Sequence, residues 1–259
     1  MAIDDSLKFE IGNLLLLVLL GTALLAAQQW GRRMGKQAGN RDSGIGISET
    51  AVFSILGLFL AFAFSGAADR FEARRKLILD ETNAIGTAWL RIDLLPQGQD
   101  SVRRLVAQYV DLRIEAYRLV KDEQAAWGTN AKALALQDRI WKEALANARG
   151  PDGLSARQVL LPALNDMFDI AASRSAAILR HPPLAVFVML GSLALIGAVF
   201  AGYSLAAREH ASWIHTLGFP VVLALVLFVI IDVEYPRLGF IRVDASDQML
   251  IDLRRSLSF

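Results

Sequence analysis

Residues Thr50 to Leu95 join an apolar segment to a charged one, and they read TAVFSILGLFLAFAFSGAADRFEARRKLILDETNAIGTAWLRIDLL. Its first part, Ala51 to Ala68, has 18 residues without a charged side chain, just enough to cross the hydrocarbon core of a bilayer. Its second part is charged but stays compatible with a helix, because no proline occurs before Pro96. A helix of about 45 residues would be roughly 68 Å long, and only about 30 Å of it fits in lipid. The stretch therefore predicts a membrane helix that continues into water.

Composition supports a membrane protein with one polar insert. The chain has 259 residues, of which 54% are hydrophobic and 20% are charged. Residues 70–183 hold 17 of the 27 Lys and Arg and 14 of the 26 Asp and Glu. Without cysteine the chain has no disulfide framework and no thiolate metal site. A net charge of +1 gives no reason to expect a nucleic-acid partner.

Three further apolar segments complete a four-span bundle. Ile11–Trp30 is free of charge and long enough to span, so we interpret it as a retained first helix rather than a cleaved signal. Leu184–Ala206 and Trp213–Ile231 are the third and fourth spans. Between the first two spans, the glycine-rich segment after Trp30 predicts a flexible loop that ends in a Ser48 helix cap.

The insert is predicted to be helical throughout, because none of its segments alternates with period two. Asp100 or Ser101 is expected to cap a helix after Pro96, and Gly128–Thr129–Asn130 is expected to break it. A fourth amphipathic helix is expected to begin near Pro162. The predicted fold class is all-α, with a long second helix that extends into a helical domain. The predicted domains are 1–69 (spans one and two), 70–183 (insert), 184–231 (spans three and four) and 232–259 (amphipathic tail).

Basic residues near the span ends predict the orientation. Four spans place the N-terminus, the insert and the tail on one side, and that side has nine such residues against five on the other. The excess predicts that the insert and both termini are cytoplasmic. The nine are Lys8, Arg70, Arg74, Arg75, Lys76, Arg174, Arg180, Arg237 and Arg242, and the five are Arg32, Arg33, Lys36, Arg41 and Arg208.

Two features of the spans are candidate functional sites. Charged residues end spans two and four on the same side, where they either anchor the helices at the interface or form ion pairs between them. Small residues recur along span two, which lets another helix approach closely within the chain or between copies of it. The charged set is Arg70, Arg74, Arg75, Asp232 and Glu234, with Asp69 and Arg237 beside it, and the small set is Ser54, Gly57, Ala61 and Ser65, continued by Ala68.

A third feature is the group of phenylalanines in span two. Phe53, Phe59, Phe62 and Phe64 either meet lipid and neighbouring helices or form a ring that closes a pore by excluding water. Enzymatic chemistry is not supported, since the sequence has no catalytic or nucleotide-binding motif. His210 and His215 are five residues apart and do not share a helix face, so neither a metal site nor a cofactor is expected. The acidic residues of the insert are interpreted as a solvated face.

Three segments resemble a family of bacterial membrane proteins described as bestrophin-like. They are GLFLAFAFSGAADRFEARRKLILDETNAIGTAWLRIDLLP, LLPALNDMFDIAASRSAAILRHPP and VIIDVEYPRLGFIRVDASDQMLIDLR. A more distant resemblance is to bestrophins proper, which implies a pentameric anion channel lined by a long second helix. By that resemblance Leu58 and Phe62 are the candidate pore residues. The consecutive acidic residues that hold calcium in animal bestrophins are replaced by the dispersed Asp244, Asp247 and Asp252, so calcium gating is not implied.

Together these observations predict a homo-oligomeric, bestrophin-like channel for small ions in the bacterial inner membrane. Leu58 and Phe62 would close the pore, and Arg70, Arg74 and Arg75 would attract anions to its vestibule. The alternative is a non-conducting membrane scaffold whose insert docks a cytoplasmic partner. The two hypotheses differ in whether span two faces a pore axis or only neighbours within its own subunit.

The orientation can be tested with single cysteines, because the natural chain has none. In intact cells, an impermeant thiol reagent should label Gly44→Cys and should not label Gly128→Cys. The opposite labelling pattern would reverse the topology.

Overall fold

The protein is all-helical. A computed structural model describes residues 2–38, 45–119, 123–206, 213–236, 240–241 and 244–257. These residues form eight α-helices and contain no strand, as the sequence predicted. The helices are α1 (Ala2–Gln37), α2 (Ile45–Arg91), α3 (Gln99–Arg118), α4 (Glu123–Asn147), α5 (Leu161–Ile178), α6 (Leu184–Leu205), α7 (Trp213–Glu234) and α8 (Asp244–Ser256).

Four of these helices are long and apolar enough to cross a membrane. The candidate spans lie within Ile11–Gln37, Gly46–Leu94, Leu184–Leu205 and Thr216–Glu234, which agrees with the four predicted. The chain divides into two compact units: residues 1–71 with 181–242, and residues 72–180 with 243–259. Helix α2 contributes residues to both units, and α8 packs in the second.

The first unit is held together by α1, α2, α6 and α7. Its main core contains Leu24 of α1, Leu56 of α2, and residues from α6 and α7 such as Ala198 and Leu227. Helices α1 and α6 come unusually close where each carries glycine. A Cβ atom at Gly202 would overlap the carbonyl of Gln28 on α1.

The same close approach corrects the loop predicted after Trp30. Helix α1 continues to Gln37, because Gly31 and Gly35 lie against α6, and a Cβ at either position would overlap α6 backbone. Glycine lowers helix propensity, but here the helix contact outweighs that cost. Helix α2 begins at Ile45, so Ser48 lies inside the helix and does not cap it.

The second unit has its own core, built from helices α2, α3, α4, α5 and α8. Fully buried members include Ile85 of α2, Val106 of α3, Ile140 of α4 and Met167 of α5. Helix α8 adds Leu250 to this core. The amphipathic pattern of these helices thus marks faces that pack against one another.

Two helix boundaries in the insert differ from those predicted. Helix α3 begins at Gln99, and its N-cap residue is Gly98, which has φ of 73°. Asp100 and Ser101 lie inside the helix, so neither of them caps it. Gly128, Thr129 and Asn130 lie within α4 and do not break it. Tertiary contacts keep this segment helical: Thr129 is buried, and Asn130 accepts a 3.4 Å hydrogen bond from Arg113. Helix α5 includes Pro162 in its first turn, as expected.

Candidate functional site

The apolar half of α2 buries only one of its faces in the first unit. Leu56 and Ala67 are buried, and Phe53 packs edge-on against Phe219 of α7 with ring centroids 5.3 Å apart. Phe59 is partly buried in the same core. The phenylalanines of span two therefore divide into an inward pair, Phe53 and Phe59, and an outward pair.

The opposite face of α2 carries both predicted stripes, and both are exposed in the single chain. Leu58 is 54% exposed and Phe62 is 66% exposed. The small residues Ser54, Gly57, Ala61 and Ser65 are exposed as well. These small residues are therefore not buried against another helix of the same chain, which was one of the two interpretations of the stripe.

An ion pair joins the ends of α2 and α7 within the first unit. The guanidinium of Arg70 donates to Glu234 through Nε at 3.1 and 2.9 Å and through Nη2 at 2.7 Å. Glu234 is only 1% exposed, so its carboxylate needs a partner to offset the loss of water. His181 supplies a second contact, with Nδ1 3.0 Å from a Glu234 oxygen, and its ring stacks on Tyr235.

Asp232 contacts the backbone of the segment that follows α7. Its carboxylate accepts hydrogen bonds of 2.8 Å from the backbone N–H groups of Phe240 and Ile241. Arg70 therefore pairs with Glu234, while Asp232 orders the chain after α7. Asp69, the neighbour of Arg70, is exposed.

The second unit places the other two candidate arginines in unlike settings. Arg74 is buried and donates to the backbone carbonyls of Ala177 and Arg180, so it does not face a water-filled vestibule. Arg75 is exposed and pairs with Glu72 one turn earlier. The stem and guanidinium of Arg74 thus take part in the packing of the helices in the single chain, whereas the side chain of Arg75 stays accessible.

A buried charge cluster in the second unit was missed by the sequence analysis. Glu81 of α2 is fully buried and accepts hydrogen bonds of 2.6 Å from Arg113 of α3 and from Arg174 of α5. Arg174 also donates to Asp247 of α8 at 2.6 Å. Four helices thus meet at one cluster, and Glu81, Arg113 and Arg174 are not part of a solvated face.

A signal for this cluster was present in the helix patterns. Glu81 falls three residues after Ile78 and four before Ile85, on the apolar face of α2. Arg113 likewise continues the face of Tyr109 and Val110.

Burial raises the pKa of Tyr109 to about 12, so its hydroxyl stays neutral, and it accepts a hydrogen bond from Gln137.

Several residues used in the sequence analysis lie outside the described residues. They are Arg41, Gly44, Arg208, His210, Arg237 and Arg242. Among the residues that the structure describes, no group of three or more His, Cys, Asp or Glu side chains could hold a metal ion.

A family model for the bestrophin-like domain matches residues 15–248, which is most of the chain; the match begins within α1 and includes the apolar segments of α2, α6 and α7. The chain belongs to the bestrophin-like family. With four apolar helices, this bestrophin-like protein is an integral membrane protein. Comparisons with curated proteins and with solved structures gave no match.

The Arg70–Glu234 pair should be measurable in the bestrophin-like protein as a coupling energy. Removing one partner leaves a charge without its counter-ion, so Arg70→Ala and Glu234→Ala should each lower the free energy of unfolding by about 1–3 kcal/mol, the lower end reflecting the exposure of Arg70. The double variant should lose less than the sum. The free energies can be obtained from denaturant unfolding in detergent.

Arg75 supplies the matched control. Arg75→Ala combined with Glu234→Ala should be additive to within about 0.5 kcal/mol, because Arg75 pairs with Glu72 instead. Additivity of Arg70→Ala with Glu234→Ala would show that the pair does not hold the helix ends together.

Proposed function

We propose that this protein is a homo-oligomeric ion channel whose pore is lined by the apolar half of α2. Membership of the bestrophin-like family supports this function, and the sequence resemblance implies a pentamer. The observation that carries the proposal is the exposed face of α2, which combines a small-residue stripe with two bulky apolar side chains.

A comparison with α1 supports the proposal that this face meets other subunits. The exposed large side chains of α1 include Leu14, Leu15 and Val18, as expected for a helix that meets acyl chains. The exposed face of α2 also carries large side chains, Leu58 and Phe62, but beside them runs a stripe of exposed small residues that includes Ser54 and Ser65. Small residues let backbones approach and increase van der Waals contact between helices in a membrane, where apolar side chains gain nothing by leaving lipid.

Leu58 and Phe62 are the candidates for the gate. They lie four residues apart on the exposed face, so symmetric copies of α2 would bring them together in rings one helical turn apart. Rings of large apolar side chains close a pore by making it unfavourable for water to enter. The adjoining stripe of Ser54, Ala61 and Ser65 would then form the contact between neighbouring subunits.

Only exposed cationic side chains that are not neutralised inside the single chain could give the pore a preference for anions. Arg70 is neutralised by Glu234, and Arg74 is buried. Anion preference in this proposal therefore rests on Arg75 and Lys76, which are exposed in the second unit, where exposed Glu72 opposes them. The proposal includes the predicted topology, with the insert and both termini on the cytoplasmic side of a bacterial inner membrane.

Bilayer recordings of the purified protein test the gate. Phe62→Ala should raise open probability or leak by about tenfold, which corresponds to removing about 1.4 kcal/mol from the barrier to wetting. Phe64→Ala is the matched control, since Phe64 is also exposed but lies two residues away on another side of the helix. It should leave conduction within a factor of about two.

Selectivity can be recorded in the same experiment. In a salt gradient, Arg75→Glu should move the reversal potential away from the equilibrium potential of the anion, because it reverses one exposed charge in every subunit. If neither the natural protein nor Phe62→Ala conducts, the channel proposal fails and the scaffold alternative takes its place.

A further inference from the structure

We propose that a cleft between α3 and α4 binds a small molecule that carries phosphate groups. The cleft has a volume of about 440 Å³ and is lined by Ser101, Arg104, Leu105, Gln108, Arg139, Lys142 and Glu143. This volume is within the range of clefts that bind small molecules, roughly 300–1,000 Å³. The inference does not depend on whether the protein conducts ions.

The charges of the cleft favour an anion with more than one negative charge. Three cationic side chains face it, while Glu143 is the only acidic residue in its lining. Lys142 pairs with Asp138 on the solvent side of α4. Arg104 and Arg139 have no ion-pair partner among the described residues.

Most arginines of the second unit are placed differently. Arg75, Arg103, Arg113, Arg174, Arg254 and Arg255 each pair with a carboxylate. Arg74, Arg91 and Arg157 donate to backbone carbonyls. The single carboxylate in the lining of the cleft, that of Glu143, does not balance the cations there, and a bound anion would offset the excess positive charge.

A phosphate group fits these donors better than a single carboxylate does. It brings up to two negative charges and three strong acceptor oxygens, and arginine binds such oxygens through two parallel N–H donors. The Ser101 hydroxyl and the Gln108 amide add neutral donors at the same cleft. A diphosphate would match both arginines at once.

The helices that carry these side chains are firmly packed. Val102 and Val106 of α3 and Ile140 and Ala144 of α4 are fully buried beneath the cleft residues. The backbone of the site is therefore formed before a ligand arrives, which lowers the entropic cost of binding.

The test is isothermal titration calorimetry of the full chain in detergent, with inorganic pyrophosphate as the probe and without divalent cations. Pyrophosphate should bind saturably, and Arg104→Gln and Arg139→Gln should each weaken binding by about tenfold or more. Lys132→Gln makes the same charge change on α4 outside the cleft and should stay within a factor of about two. Arg104 and Arg139 are exposed, so thermal unfolding of both variants should match the natural protein.

A competition experiment with lipid distinguishes a phosphate of a lipid headgroup from a phosphate of a soluble molecule. Nanodiscs of phosphatidylcholine with phosphatidic acid are compared with nanodiscs of phosphatidylcholine alone. If phosphatidic acid competes with pyrophosphate in an Arg104-dependent way, the phosphate belongs to a lipid headgroup, and if it does not, the phosphate belongs to a soluble molecule.

Three results would overturn the proposal. The first is equal affinity for pyrophosphate in the natural chain and in both arginine variants. The second is a titration with sodium chloride, at the same ionic strength, that gives the same heat as the titration with pyrophosphate. Such a result would mean charge screening only. The third is binding of a hexaglutamate peptide without binding of pyrophosphate, which would assign the cleft to an acidic protein partner.

Discussion

Helix α2 has to bury one face in each of the two units, and the other helices supply the partners for both faces. In the first unit it contributes Leu56 and Ala67 to apolar cores that α6 and α7 complete. In the second unit it contributes Ile85 and Ala88, together with the charged Glu81. A single helix that serves an apolar and a polar environment needs a different kind of partner in each. Glycine-mediated contacts hold the neighbouring spans α1 and α6 together, whereas the insert combines an apolar core with the buried ion pairs of Glu81.

The ion pairs follow from the cost of burying charge. Glu81 is fully buried, and removing a carboxylate from water costs several kcal/mol unless hydrogen-bonded cations replace the solvent. Arg113 and Arg174 supply those cations from two different helices. Glu234 is matched in the same way by Arg70 in the first unit. Such pairs are weak as sources of stability, because a well-packed apolar replacement does equally well. We propose that they fix which helices meet.

The sequence predicts the spans well because membrane insertion depends on length and hydropathy, which are local properties. It also places Arg70 and Glu234 in the charged set that could form ion pairs between spans two and four, and the structure shows this pair. It fails at Gly31 and Gly35, where weak local helix propensity suggests a loop but contact with α6 maintains a helix. It fails again at Glu81, since a charge on an apolar face is buried only if other helices bring the opposite charge to it. Both failures concern contacts between distant segments.

We propose that the exposed face of α2 meets other copies of the same chain. Native mass spectrometry of the purified protein, released from detergent, measures this directly. We expect a single closed homo-oligomer of more than two chains, since at least three copies of α2 are needed to surround a pore. We also expect Ala61→Trp, a bulky change in the small stripe, to shift the population towards monomers. A natural protein that is monomeric at every concentration and in several mild detergents would contradict the claim.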